Sequence, residues 1–210
     1  MFENIIENLK RNNMNALAVE TASDALEYIK NTIPEGAVVS NGGSVTLSEI
    51  GAIELFRKGN YNFLDRGADG LSRDEIEDIF RKSFFADYYL MSTNALTEDG
   101  LLYNVDGNSN RVAALVYGPE NVIIVAGRNK IVKNIDEAIK RVKTVAAPKN
   151  CVRLNCMTYC NAKGECVCAD SNDFDGCDTD SRICCNYVIS SKQRKKGRIT
   201  VIIVNEDLGY

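Results

Sequence analysis

"NVIIVAG" at residues 121–127, followed six residues later by "NIDEAIKRVKTVAA" at 134–147, sets the fold class of this chain. The first stretch is a short apolar run of strand length, and the second carries a helical period behind a polar start. The same alternation runs outward toward the amino terminus. "NALAVE" (15–20), "AVVS" (37–40), "DYYLMST" (87–93) and "LLYNV" (101–105) read as strands. "DALEYIKNTI" behind a cap at Ser23, "TLSEIGAIELFRKG" (46–59) and "SRDEIEDIFRKSFF" (72–85) read as helices. Toward the carboxyl terminus Pro148 is expected to close the pattern, and "RITVIIVNEDLGY" (198–210) supplies a last strand returning to the sheet. Short apolar strands separated by helices predict an α/β fold: a Rossmann-like, mostly parallel sheet with helices on both faces.

The 210 residues, 45% hydrophobic and 26% charged, have the composition of an ordinary globular protein. The expected division is an α/β domain over 1–149, a cysteine-rich segment over 150–192, and a basic turn with the last strand over 193–210. A formal net charge of −4 gives no reason to expect nucleic acid as partner. No stretch approaches the roughly 20 apolar residues of a membrane span. The acidic start "MFENIIENLKRNN" lacks the features of a secretory signal, so a cytoplasmic location is expected. Nothing in these features opposes a homo-oligomer.

Three loops carry the candidate chemistry. "VVSNGGSVTLSEIG" sets Asn41, Gly42 and Gly43 at a strand's carboxyl end with Ser44 and Thr46 opening the next helix, the place where open parallel sheets hold small anions. A Gly-Gly pair alone is more often only a tight turn. "TNALTEDGLLYNVDGNSNR" (93–111) gathers Asn94, Asp106 and Arg111, which are expected to line a pocket with the Gly42 loop. Glu49, Glu98 and Asp106 are the candidates for acid/base work, each with a plain helix or turn role as its rival. "KQRKKGR" (192–198) reads as a solvated turn.

The third loop holds the sulfur. All eight cysteines lie between Cys151 and Cys185, and the chain has no histidine. In a reducing compartment thiols of this density point to metal or redox work rather than disulfides. Thiolates suit zinc, copper(I) and iron–sulfur clusters. The gaps of four, three, five, one, eight and six residues contain no C-x2-C pair, so they suit a cluster held by a winding loop better than a zinc site. A calcium loop built on Asp170, Asp173, Asp175, Asp178 and Asp180 fails: with Gly176 at its sixth position, Arg182 stands where a bidentate glutamate is required.

"SNGGSVTLSEIG", "TNALTEDGLLYNVDGNSNRVAALVYGPENVIIVAGRNKIV" and "RICCNYVI…NEDLGY" together resemble the lactate-utilisation (LUD) domain family over nearly the whole chain. The middle motif also resembles a segment of sugar-phosphate isomerases, which implies a fold of the isomerase and CoA-transferase type. The resemblance implies a redox role within a lactate-oxidising iron–sulfur system, with other lactate-utilisation proteins as partners and a small anionic ligand. Four tail cysteines match the family pattern: Cys160 in "TYC", Cys166 in "GEC", Cys177, and Cys184 in "RIC". They are the implied ligands of a cluster, 4Fe-4S being favoured. Tyr159 replaces a proline of that pattern, and the inserted "VCADSNDFDG" brings Cys168 as an alternate to Cys177, with Cys156 a further alternate. An isomerase- or transferase-type enzyme with a structural zinc, or a thiol-based oxidant sensor, are the competing readings.

Overall fold

The computed structural model describes residues 2–171, 174 and 176–210. Six strands form one wholly parallel sheet: β1 (Asn15–Val19), β2 (Val38–Asn41), β3 (Asn62–Leu64), β4 (Tyr88–Met91), β7 (Asn121–Gly127) and β10 (Ile199–Val204), in the order β1-β10-β7-β4-β2-β3. The last strand of the chain is therefore an interior one, Val201 lying opposite Ala16 on one side and Ile124 on the other.

Alternation along these strands feeds two cores. Val201 and Ile203 of β10, with Val122 and Ile124 of β7, pack on one face against Ile5 and Leu9 of α1 (Glu3–Arg11) and Ala114 and Leu115 of α6 (Asn110–Tyr117). Ile202, Val204, Ile123 and Val125 point the other way. They meet Ala25 and Ile29 of α2 (Ala22–Thr32), Leu47 of α3 (Val45–Glu49) and Phe56 of α4 (Ala52–Lys58). A strand apolar at every position is what two covered faces demand.

Several boundaries differ from the sequence expectation. Thr21, not Ser23, caps α2, its hydroxyl accepting from the Asp24 amide while the Asp24 carboxylate accepts from the Thr21 amide. This capping box satisfies two otherwise unpaired donors at once, which Ser23, already inside the helix, does not do. The single helix expected over 46–59 breaks at Ile50 and Gly51 into α3 and α4. The charged helix is α5 (Arg73–Lys82), followed by a 3-10 turn at Ser83–Phe85.

Pro148 does not end the helix before it. Helix α7 (Ile135–Arg141) runs through a π-helical turn, Val142–Ala146, into α8 (Ala147–Leu154), where Pro148 sits in the first turn. The π turn admits the proline: the Ala147 amide donates to Val142 O, and Lys143 O, next in that register, accepts from the Cys166 amide instead. The expected boundary between 149 and 150 thus falls inside α8.

A second sheet, not foreseen from sequence, joins β5 (Ala95–Thr97), β6 (Leu102–Asp106), β8 (Ile131–Val132) and β9 (Asn186–Ser190) in the order β8-β5-β6-β9. Strand β9 belongs to the segment counted as cysteine-rich, and it pairs antiparallel with β6 along residues 102–106. A third core, with Tyr103, Val105, Ala138, Ile139 and Val142, lies between this sheet and α7, and Cys184 and Tyr187 pack against it. The cysteine segment is thus threaded between sheet elements rather than appended. The basic run folds quietly: Arg198 donates to the carbonyls of Ala114, Leu115 and Pro119 at the end of α6. Among the described residues no helix is long and apolar enough to cross a membrane.

Candidate functional site

At the carboxyl ends of β2 and β4 a cavity of about 430 Å³ opens between the Gly43–Val45 loop, the Ser92–Asn94 turn, the loop after β6 and the Asp180–Cys185 stretch. Arg66, Arg111, Lys130, Arg153 and Arg182 line it, against Asp106 and Asp180. The excess of positive charge suits a small anion.

Arg111 organises this wall. One terminal nitrogen donates to Asn104 Oδ1 (2.6 Å) and Ser92 O (3.5 Å), the other to Asn94 Oδ1 (3.1 Å) and Val105 O (2.6 Å). Its Nε lies 3.8 Å from Asp106 Oδ2. Asp106 in turn accepts from the Arg111 and Val112 amides at the start of α6. With its hydrogen-bonding capacity committed to the fold, Arg111 shapes the pocket rather than offering a charge to a ligand. Gly42 makes room for it: a Cβ there would stand 2.8 Å from Arg111 Cγ and 3.0 Å from the Tyr89 hydroxyl.

Arg66 is the opposite case. Among the described residues it makes no hydrogen bond or ion pair; its guanidinium lies 4.7 Å from the Phe80 ring centroid. Burial lowers its pKa, the charges of Tyr89 and Asp106 opposing that shift. Arg153 is held from the other side, Nε donating to the Tyr210 hydroxyl (2.8 Å) and to Asn150 Oδ1 (3.1 Å).

Lys130 lies deepest, only 3% exposed, in a 3-10 turn (Arg128–Lys130) directly after β7. Nζ donates to Thr46 Oγ1 (2.8 Å) and Ser92 Oγ (2.9 Å). Burial is the main cause, with the charges of Arg141 and Arg111 next, of a pKa lowered to about 7.

The cysteines form a separate, smaller pocket. Cys151, Cys160, Cys166, Cys177 and Cys184 line one space of about 10 Å³ together with Ala147, Thr158, Tyr159, Val167 and Ile183. Cys160 Sγ lies 3.4 Å from Cys151 Sγ, and all eight cysteines are unpaired by disulfides. Lys143 in the π turn anchors the segment: its carbonyl accepts from the Cys166 amide, and its Nζ donates to Cys168 O. Burial pushes the Cys151 thiol up to about 12 and raises Cys166 and Cys177 as well. Such protonated thiols are poor sensors of oxidants.

The donor set, thiols without imidazole, fits a thiolate-bound group. Among the described residues no set of three or more Cys, Asp or Glu side chains converges as a single metal site. The space holds about one water, so a cluster requires the segment to open outward. Ile183 lines both spaces, Cys184 facing the thiol pocket and Cys185 the cavity.

A LUD domain model matches residues 2–204. The chain belongs to the LUD domain family. That family is associated with lactate utilisation. A crystal structure of a DUF162 family protein from Deinococcus radiodurans is similar in fold, with a TM-score of 0.50 at 16% identity, over 97% of this chain and 93% of that one. None of the curated proteins compared matches this chain.

In this LUD domain the loop residues read from sequence divide into two groups. Gly43, Ser44, Asn94, Asp106 and Arg111 share the cavity. Asn41, Gly42 and Thr46 stand behind it: Asn41 Nδ2 donates to Gly42 O, the Gly42 amide donates to Leu90 O, and Thr46 Oγ1 donates to Leu208 O. The anion-binding amide expected at Gly42 is thus spent on the sheet. Glu98 is exposed in the turn between β5 and β6, far from acid/base duty, its carbonyl accepting from Asn8 of α1. Glu49 accepts from the Gly209 amide, outside the cavity lining.

Of the metal candidates, Cys160, Cys166, Cys177 and Cys184 share the thiol pocket, whereas the alternates Cys156 and Cys168 do not line it. Asp173 and Asp175 lie outside the described residues. Sequence reasoning missed Arg66, Lys130, Arg153 and Arg182. For Lys130 a signal existed, a cation within three residues of the carboxyl end of an apolar strand, although Arg128 shares that place.

Proposed function

We propose that this LUD domain binds a small carboxylate in its strand-end cavity and acts as an electron-transferring component of a cytoplasmic lactate-oxidising system, with an iron–sulfur cluster on the adjacent cysteines. The observation that carries the reading is Ile183, a single residue forming the wall between a cationic cavity and a pocket of five thiols. Arg66, which makes no hydrogen bond or ion pair among the described residues, would hold the carboxylate by charge-assisted hydrogen bonds, with Arg153 beside it. Arg111 and Asp106 keep the cavity walls in place. Cys160, Cys166, Cys177 and Cys184 are the assigned cluster ligands, with Cys151 beside them. The bound cluster would supply single-electron exchange. Burial raises the pKa of the Cys151, Cys166 and Cys177 thiols, so loading would release protons and be favoured by rising pH.

Anaerobic purification followed by iron and sulfide analysis and visible absorbance tests the cluster. The expected result is a coloured protein with matching iron and sulfide that bleaches in air. A colourless, iron-free protein with one zinc per chain would support the second reading, a structural zinc beneath a non-redox ligand site. Calorimetric titration with lactate and pyruvate tests the cavity independently of the metal.

A further inference from the structure

The two hydrogen bonds that Lys130 Nζ donates satisfy a neutral amine and leave the third hydrogen of an ammonium without an acceptor among the described residues. Ser92 Oγ donates its proton to Val125 O at 2.6 Å, and Thr46 Oγ1 donates to Leu208 O at 3.3 Å. Each hydroxyl has one proton, so both oxygens act only as acceptors toward Nζ. Two N–H groups of Lys130 are thereby used. An amine with two hydrogens then retains a lone pair, on a side chain that lines the cavity.

The surrounding charge favours that state. The charges of Arg141, from α7, and Arg111, from α6, act against a proton on Nζ, and Glu49, at the end of α3, is the carboxylate whose field opposes them. Among the described residues Lys130 makes no ion pair. Its pKa of about 7 leaves a large neutral fraction at physiological pH. A buried lysine is a costly tie between the ends of β7 and β4 and the first turn of α3. Lysines desolvated beside other cations are the ones that act as nucleophiles.

We infer that Lys130 forms an imine with a small 2-oxo carboxylate held in the cavity by Arg66 and Arg153, an inference that rests on the carboxylate-binding reading above. The Nζ lone pair adds to the carbonyl carbon. The carbonyl oxygen takes one proton from the attacking nitrogen and one from solvent and leaves as water. The C=N bond that replaces it carries the positive charge on nitrogen, which keeps its other hydrogen. No electrons are exchanged and no co-reactant is consumed. The cationic imine withdraws electrons from the neighbouring carbons, the activation that amine catalysis of oxo acids uses.

The test is reductive trapping on the wild-type protein. Pyruvate and cyanoborohydride are added near neutral pH, and the adduct, a carboxyethyl group, is mapped by mass spectrometry of peptides. Labelling of Lys130 is expected to exceed that of exposed lysines such as Lys58 and Lys82 by roughly tenfold or more, and to be suppressed by excess lactate, which has the carboxylate but no carbonyl. Labelling of Lys130 no greater than that of exposed lysines would overturn the inference. Calorimetry on the same sample separates the two claims. Pyruvate binding without an adduct overturns the imine and leaves the carboxylate site standing. Neither binding nor adduct overturns both, and labelling indifferent to lactate removes the carboxylate site and the proposed substrate class together.

Discussion

The cavity and the thiol pocket lie on either side of Ile183, yet they are built in different ways. Strand ends, helix starts and an arginine bonded through both terminal nitrogens fix the cavity before any ligand arrives. Apart from Ala147 and Cys151 of α8, the thiol pocket is made of α9 (Tyr159–Lys163), loops and turns tied by scattered bonds such as Cys166 N to Lys143 O and Cys185 N to Asp106 O. One region is preorganised by the sheet, where rigid elements hold a site best. The other brings the right atoms into one neighbourhood and leaves their final convergence to what binds there.

The difference can be broken first at Arg111. Replacing it with alanine leaves Asp106, Asn94 Oδ1 and Asn104 Oδ1 buried without their cation. Urea unfolding should show a loss of about 3–5 kcal/mol. A loss under 1 kcal/mol would mean that the wall is not held as described.

Next, pH separates Lys130 from the remaining cations. Between about 7 and its ordinary value of 10.5, the unfolded chain keeps a proton on Lys130 that the folded chain has lost. Wild-type stability relative to Lys130→Met should therefore rise with pH across that window, by on the order of 1 kcal/mol per unit. Parallel stability curves for the two proteins would place the lysine pKa near its unfolded value.

Arg66 sharpens the contrast from the ligand side. Because it makes no hydrogen bond to the rest of the described chain, Arg66→Gln should weaken lactate or pyruvate binding by about tenfold to a hundredfold. Unfolding free energy should change by no more than the cation–π contact with Phe80, about 0.5–1 kcal/mol.

For the thiol side, hydrogen exchange on metal-free protein should find the amides of 156–168 exchanging well before those of β7 and β10. Anaerobic loading with iron and sulfide should slow them. Uniform protection before loading would erase the distinction drawn between the two sites. Smallest of all, Glu98→Gln should leave both ligand binding and stability within about 0.5 kcal/mol of wild type, as an exposed turn residue does.

Much of the main sheet was legible because its strands are apolar on both faces and its helices are amphipathic. "NVIIVAG" and "ITVIIV" could only be buried, and the Gly42 loop could only follow a strand. Of the small sheet only β6, read as "LLYNV", was legible. Strands of two or three residues, such as β8 and β5, carry no readable period, and β6 meets β9 across about eighty residues of intervening chain. Pro148 misled because a π turn upstream let the helix absorb it.

The candidate site divides in the same way. Asn94, Asp106 and Arg111 could be picked out because they crowd one loop. Arg66 and Arg153 could not, since each is an unremarked cation in a polar stretch until folding turns it inward. Composition and periodicity alone determined a parallel α/β core, a polar loop at its strand ends and a sulfur-rich segment near the carboxyl end. The tertiary structure alone decided that β10 would thread that core, that Lys130 would lie desolvated between two acceptor hydroxyls, and that Ile183 would separate cations from thiols. Local pattern records which face of an element is apolar; which distant residues share a space depends on how the packed elements exclude water around them.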